Sequence, residues 1–327
     1  MTIPFECVYP DEIQISHSRL QSLVDIYGER QRTGLIRLAS SHAQSIYLLF
    51  QRGVLLNAYL AGVAGSRRLE NWTTAAEEIG EGFARVVQLS PLALGMCKLA
   101  IESPETQTET ISAAELRSSL IQSWRQTIEP QLLHLRWQRA EGLVFYQGGI
   151  FDEHSVFFSP ERLADEAGIS SALVLWSEAE SALTRYVITL DTPAWQEYVL
   201  RRTFAGICNR ALLRYEEITG TAIVDSIIRS LILLASRLSL EINIASRRVI
   251  DREVFSTPQK AADGYRALLQ AMLDQVRLII GSPLSTSIIL DITTSLHLSE
   301  LQAVQDFSLL PPELLQEGKR SGEARNF

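Results

Sequence analysis

The sequence predicts an α+β chain: two tandem small helix-plus-antiparallel-sheet units followed by a mostly helical C-terminal region. Three patterns lead there. Residues 33–62, TGLIRLASSHAQSIYLLFQRGVLLNAYLAG, break into short apolar runs separated by tight-turn residues. The same outline returns at residues 130–159, PQLLHLRWQRAEGLVFYQGGIFDEHSVFFS. From Pro193 onward, apolar residues recur mainly at helical spacing over long stretches. With 327 residues, 46% hydrophobic and 21% charged, the chain has the length for two or three domains with cores and the make-up of a folded protein.

The first unit spans residues 1–102. Ser16 can cap a helix over 16–29, in which Leu20, Leu23, Val24 and Tyr27 share one face. Strands follow at 35–39, 45–51 and 54–60, with Arg52-Gly53 supplying the positive φ that a tight hairpin needs. Ile46 to Phe50 are all apolar, so this sheet should be covered on both faces. The stripe Trp72, Ala76, Ile79, Phe83 and Val86-Val87 predicts a helix over 69–89, weakened at Gly80 and Gly82. ALGMCKLAIE reads as a closing strand. Residues 103–110, SPETQTET, lack any hydrophobic residue and read as a linker.

The second, divergent unit spans 111–191. ISAAEL at 111–116 matches ISHSRL at 15–20, and Ser112 with Glu115 has capping-box spacing. From offset 96 the match moves to 97, where Tyr27 pairs with Trp124, and Leu35, Ile36 and Leu38 pair with Leu132, Leu133 and Leu135. It returns to 96 at the turn glycines Gly53 and Gly149. A short helix is expected over 160–167, then strands in SALVLWSEA and TRYVITLD, with a turn near 178–182.

In the C-terminal region, 192–310, Thr192-Pro193 opens a helix to Thr219 and Gly220 ends it. A second helix over 221–239 carries a broad apolar face, and EINIA is a short strand. Thr257-Pro258 opens a helix ending at Gly281. Its seam of Ala261, Tyr265, Leu268, Met272, Val276 and Ile279 suits a partner helix, inside the chain or in a homodimer through helix 258–280. Residues 311–327 read as a flexible tail, fraying by Gly318.

Chemistry is sparse. The net charge of -8, from 30 basic and 38 acidic residues, argues against nucleic acid and against anionic membranes. The most apolar run contains Asp225, Arg229 and Arg237, which argues against membrane insertion, and no secretory signal opens the chain. Cys7, Cys97 and Cys208 form no metal or disulfide pattern, and buried thiols in a reducing cytoplasm are expected. His17, His42, His134, His154 and His297 make no helical metal pair. Phosphate loops, the GxSxG elbow and HExxH are missing, so neither metal nor cofactor is expected. DEHS at 152–155 is the one acidic-plus-His cluster; a divergent enzyme would need Asp152, His154 and Ser155 to meet His134 in a cleft. Trp72, Trp124, Trp137, Trp176 and Trp195 read as core anchors, with Trp137 and Tyr146 facing each other across the second hairpin as a candidate partner surface. Tyr265, Leu268, Met272 and Val276 form the other candidate surface.

Thr33-Gly34 with Leu35, Ile36 and Leu38, then Ile46, Tyr47, Leu48 and Phe50, then Gly53, Leu55 and Ala58 together resemble the PATAN domain, a module of bacterial signalling proteins. The likeness is best over residues 11–62 and returns in weaker form over 111–159, where Thr33-Gly34 has no counterpart before Leu132. The resemblance implies a non-catalytic, cytoplasmic regulatory adaptor in two-component signalling or motility control. It implies a protein partner, with an ATPase, a GTPase or a signalling kinase as candidates. A small-molecule sensor with a pocket between sheet and helices is the alternative reading, ahead of an enzyme.

Overall fold

The computed structural model describes residues 13–40, 44–62, 65–103, 105–111, 130–137, 140–147, 150–151, 155–159, 162–167, 181–311 and 314. The chain divides into two compact units, 1–192 and 193–327, and each is taken by itself.

The first unit begins with β1 (Ile13–Ile15), α1 (His17–Glu29), β2 (Gly34–Ala39), β3 (Ser45–Gln51), β4 (Val54–Gly62), β5 (Gly65–Arg68), α2 (Trp72–Ile79), β6 (Gly82–Gln88) and α3 (Pro91–Glu102). The strands form one antiparallel sheet in the order β1-β6-β2-β3-β4-β5. Arg52 and Gly53 both take positive φ, 49° and 79°, as a tight β3–β4 hairpin demands. A Cβ at Gly53 would collide with the Gly28 carbonyl at the end of α1. Ile36, Leu38, Ile46, Leu48, Phe50 and Ala84 join Leu20 and Tyr27 of α1 and Ala76 of α2 in one core. α3 packs on β2, β3 and β5, and all of β3 is buried. The uninterrupted apolar run of β3 has the cause expected of it, because helices lie against the sheet and the strand is shielded throughout.

The Thr33-Gly34 pair has a structural explanation. The Tyr27 hydroxyl donates to the Val87 carbonyl at 2.9 Å, and a Cβ at Gly34, where φ is +152°, would strike both groups. Thr33 Oγ1 accepts from the Arg52 amide at 3.0 Å, and the Gly53 amide donates to the Arg32 carbonyl at 2.8 Å. These bonds fasten the end of α1 to both the hairpin turn and the start of β2.

Several sequence expectations are corrected. The helix expected over 69–89 is α2 followed by β6. Gly80, at φ +72°, ends the helix, and Gly82 places β6 so close to β2 that a Cβ there would meet the Ala39 carbonyl. ALGMCKLAIE is helix α3, not a strand. Ser90 caps it by accepting from the Ala93 amide at 3.2 Å, and burial from Ala93 to Ile101 leaves almost no polar face to mark a helical period. The expected linker contains strand β7 (Glu105–Ile111), which sits at a sheet edge and so needs no apolar alternation to mark it. Residues 162–167 are strand β12, not helix.

The second sheet comprises β7, β8 (Gln131–Trp137), β9 (Ala140–Gln147), β10 (Ile150–Phe151), β11 (Ser155–Ser159), β12 (Arg162–Ala167) and β13 (Ser181–Val187), in the order β12-β11-β9-β8-β13-β7 with β10 on β9. Read from the other end, this order repeats that of the first sheet strand for strand. The register repeats as well. Gly34↔Phe50 becomes Gln131↔Tyr146, Tyr47↔Tyr59 becomes Leu143↔Val156, Gly34↔Gln88 becomes Gln131↔Val187, and Ile15↔Gly82 becomes Ile111↔Ser181. Even the bond from the Leu89 amide to the Thr33 carbonyl recurs from Ile188 to Pro130. Apart from register shifts in β11–β12 and β7–β13, the two sheets share one strand order and one set of pairings. The helix expected from Ser112 and the strand expected in SALVLWSEA lie outside the described residues, as do Trp124, Gly149 and Trp176.

The second unit holds α4 (Pro193–Thr219), α5 (Thr221–Arg237), the hairpin β14 (Ile242–Ala245) and β15 (Arg248–Asp251), α6 (Pro258–Ile280), α7 (Ser282–Thr294) and α8 (Leu298–Asp306). Boundaries of α4, α5 and α6 follow the sequence signals. Thr257 Oγ1 accepts from the Lys260 amide at 3.3 Å, and Gly220 and Gly281 take φ of 83° and 82° where α4 and α6 end. α4 packs against α6, α7 and α8, and α5 packs against α6. Among the described residues no helix is long and apolar enough to cross a membrane. Residues 315–327, most of the expected tail, lie outside the described residues.

Candidate functional site

Trp137 and Tyr146 do not face each other. The β8–β9 register pairs Trp137 with Ala140 and Tyr146 with Gln131, which puts the two residues at opposite ends of the hairpin. Six strand positions separate them, about 20 Å at the usual rise. Only two residues lie between Trp137 and Ala140, so the turn pins Trp137 to its own end of the hairpin.

The four helical candidates are likewise no surface. Tyr265, Leu268, Met272 and Val276 are at most 3% exposed, and the seam is filled from within the unit by α4 and α5. Phe204 stacks on Tyr265 with centroids 4.6 Å apart, and Cys208 Sγ lies 3.9 Å from Met272 Sδ. Ile279, the last residue of the seam, is 45% exposed. A seam at coiled-coil spacing describes a helix that needs a neighbour; here the neighbours belong to the same chain.

The histidines are dispersed. His17 Nε2 lies 3.7 Å from Glu77 Oε1, His134 is buried in β8 against Tyr186, and the His297 amide donates to Glu300 Oε2 at 2.9 Å to start α8. His134 and Ser155 sit on strands two apart in the sheet, about 10 Å. Asp152, His154 and His42 lie outside the described residues. Among the described residues no His, Cys, Asp and Glu group could hold a metal.

A buried polar constellation, unsignalled in sequence, sits in the second unit. Asp251 ends β15, and its Oδ2 accepts from the Tyr265 hydroxyl at 2.5 Å and lies 3.3 Å from Arg201 Nε, without the alignment of a hydrogen bond. Its Oδ1 accepts from the Glu253 amide at 2.9 Å, Glu253 Oε2 accepts from the Glu241 amide at 2.8 Å, and Arg201 donates to the Glu253 carbonyl. Burial works most strongly against the Arg201 charge, but Asp251, Tyr265 and Glu197 together outweigh it and raise the guanidinium above its ordinary value. Burial first, and then the Asp251 carboxylate, push the Tyr265 phenol well above its own. The charges satisfy one another, so the group behaves as a clamp joining the hairpin to α4 and α6.

A second tie closes the hairpin tip. Ser246 and Arg247 have φ of 51° and 61°, and Arg247 holds Glu216 of α4 through two bonds of 2.8 and 2.7 Å and Asp225 of α5 at 3.1 Å. The Val249 amide donates to Asn209 Oδ1 at 2.7 Å. The Arg247 bond, helped by Thr221, lowers the Glu216 carboxyl.

Neither arrangement offers an activated nucleophile. Burial pushes Cys208 and Tyr215 up to about 12, which keeps both neutral near pH 7. The cavity lined by Phe204, Cys208, Leu231, Ile244 and Leu268 holds about 10 Å³. That is roughly one water, far short of a ligand pocket. Comparison with protein families, curated proteins and solved structures finds no match to this chain.

Proposed function

We propose that the chain is a non-catalytic regulatory adaptor that binds a protein partner in bacterial signalling or motility control. The duplication carries this reading. One sheet topology is built twice in matching register, while polar positions inside it diverge: the cross-strand pair Arg37↔Arg85 has the counterpart His134↔Thr184. A duplicated scaffold with diverging side chains suits two different contacts, whereas catalysis needs reactive groups that converge. The resemblance of residues 11–62 to the PATAN domain supports the same reading, and an ATPase, a GTPase or a signalling kinase in the cytoplasm would be the partner. The known cavity in the second unit is too small to favour the sensor alternative.

The test is cross-linked capture of the full chain from native lysate, followed by hydrogen exchange of the purified complex. One recovered protein that protects amides within 33–62 or 130–159 is the expected result. Failure to recover any partner, or turnover of a small molecule by the purified chain, would overturn the reading.

A further inference from the structure

The two helical hairpins of the second unit resemble each other. ITGTAIVDSII at residues 218–228 and IIGSPLSTSII at 279–289 align at one offset, Gly220 on Gly281 and Ser226 on Ser287. The two glycines take the same conformation, with φ 83° and ψ 165° at Gly220 and φ 82° and ψ 158° at Gly281. α4 and α6 run parallel, since Phe204 stacks on Tyr265 and Cys208, one turn later, meets Met272. Their last residues therefore lie at one end of the unit, where α5 and α7 begin. Burial follows the alignment. Ile227 and Ile288 are buried at equivalent places, whereas Ile218 with Ile279, and Ile223 with Leu284, are exposed in both hairpins. α5 packs on α6 and α7 on α4, so these four residues belong to neighbouring helix ends. Leu278, 87% exposed, joins them in the last turn of α6.

Single exposed aliphatics are ordinary on a protein surface, but five at one end of a helical unit form a patch. At the exposures found they leave roughly 450 Å² of aliphatic surface in water, in the range of patches that mark interaction sites. A stable interface buries about 800 Å² per partner, of which about 55–65% is apolar, so the patch matches the apolar part of one such face. Charge favours no acidic or basic partner there, because every charged residue in these helix turns is paired within the chain. Arg214 holds Glu217 at 2.9 Å, Arg247 holds Glu216 at 2.7 Å and Asp225 at 3.1 Å, and Arg277 lies 3.9 Å from Asp274. The first turn of α7, Ser282 to Ser285, carries no charge at all.

We propose that this chain pairs with a second copy of itself through this end of the second unit. An isologous contact needs a surface that complements itself. An end built from two like halves, aliphatic at the centre and with its charges already paired at the rim, meets that need: a second copy brings aliphatic side chains against aliphatic ones and leaves no charge without its partner. The proposal goes beyond the adaptor reading and does not depend on it.

Sedimentation velocity of the full chain tests the proposal. The wild type is expected to dimerise as its concentration rises to about 100 µM, and the dimer should persist in about 0.5 M salt, because an apolar contact is not screened. L278D changes the most exposed of the five residues, which the monomer does not need for folding, and should weaken dimerisation at least about tenfold; L278D/I279D should weaken it about a hundredfold. L298D is the control. Leu298 is nearly as exposed as Leu278 but begins α8, close to the bond between Arg210 and Ser295 that ties this segment to the middle of α4, and its replacement should leave the dimer unchanged. A wild type that stays monomeric up to about 100 µM overturns the proposal and gives the patch to a different protein. So does a dimer that L278D leaves intact, that L298D disrupts equally, or that salt dissociates.

Discussion

Tyr265→Phe isolates one hydroxyl in the buried clamp. The ring keeps its stack on Phe204 and its edge contact with Phe255, whose centroids lie 4.6 and 5.3 Å away, while the 2.5 Å bond to Asp251 is lost. A hydrogen bond to a charged acceptor contributes about 1.5–3 kcal/mol. Asp251 retains Arg201 at 3.3 Å and the Glu253 amide at 2.9 Å, so its charge is not left unpartnered. The expected loss is about 2 kcal/mol, roughly a thirtyfold change in the folding constant of the second unit. The pH dependence has a definite sign. The folded-state phenol lies well above the reference value of 10.0, so the folded protein keeps a proton that the unfolded chain releases. That contribution is complete below pH 10 and is lost as pH rises through the folded value. The variant lacks the group, and the wild-type advantage should therefore narrow above pH 10. Urea titrations read by pulse proteolysis, with fragments from 193–311 followed by mass spectrometry, measure the gap at pH 7 and pH 10.5. A loss below about 0.5 kcal/mol at pH 7, or a gap that widens in alkali, would refute the role assigned to the hydroxyl.

Gly34→Ala places a methyl group against the Val87 carbonyl and the Tyr27 hydroxyl, and should cost the first unit about 2–5 kcal/mol in thermal or urea unfolding. An unchanged midpoint would mean that α1 is not fastened there. Met272→Ala removes a fully buried side chain from the α6 seam and should cost about 2–5 kcal/mol without altering the oligomeric state; a change in sedimentation with intact stability would return the seam to the surface. Arg247→Ala frees the hairpin tip, and amide exchange at 242–251 should quicken. Because Arg247 lowers the Glu216 carboxyl, the wild-type contribution is complete above the ordinary carboxylate value and fades as pH falls through the folded one. The two proteins should then converge in acid, and a difference that persists at pH 2 would count against the pairing.

Much of the fold was legible where a local rule operates. Thr257-Pro258 and Ser90-Pro91 are both helix starts by the same cap chemistry, yet only the first is legible in the sequence. α6 exposes a polar face that displays its period, whereas α3 is buried almost all round and shows none. Strand β6 is hidden in the sequence because Phe83 and Val86-Val87 continue the helical spacing of Trp72, Ala76 and Ile79. Only the pairing of β6 with β1 and β2 settles its conformation. Strand β7 is Thr, Gln and Glu up to its last residue, Ile111, so it carries no apolar alternation, and its partner β13 lies some seventy residues further along the chain. The clamp was invisible for a related reason. Arg201, Asp251 and Tyr265 are widely spaced in sequence and meet through the packing of α4, the hairpin and α6.

The sequence by itself determined the positions at which backbone geometry leaves little choice: the Arg52-Gly53 turn, the glycines that end α4 and α6, and the repeat offsets at Ile15 and Ile111. Such positions depend on φ and on capping chemistry, which act within a few residues. Only the tertiary structure decided whether an apolar stripe became strand or helix, whether the α6 seam faced a neighbour in the same chain, and that the two sheets share one strand order. Those outcomes depend on which distant surfaces are brought together to exclude water, and no local pattern carries that information.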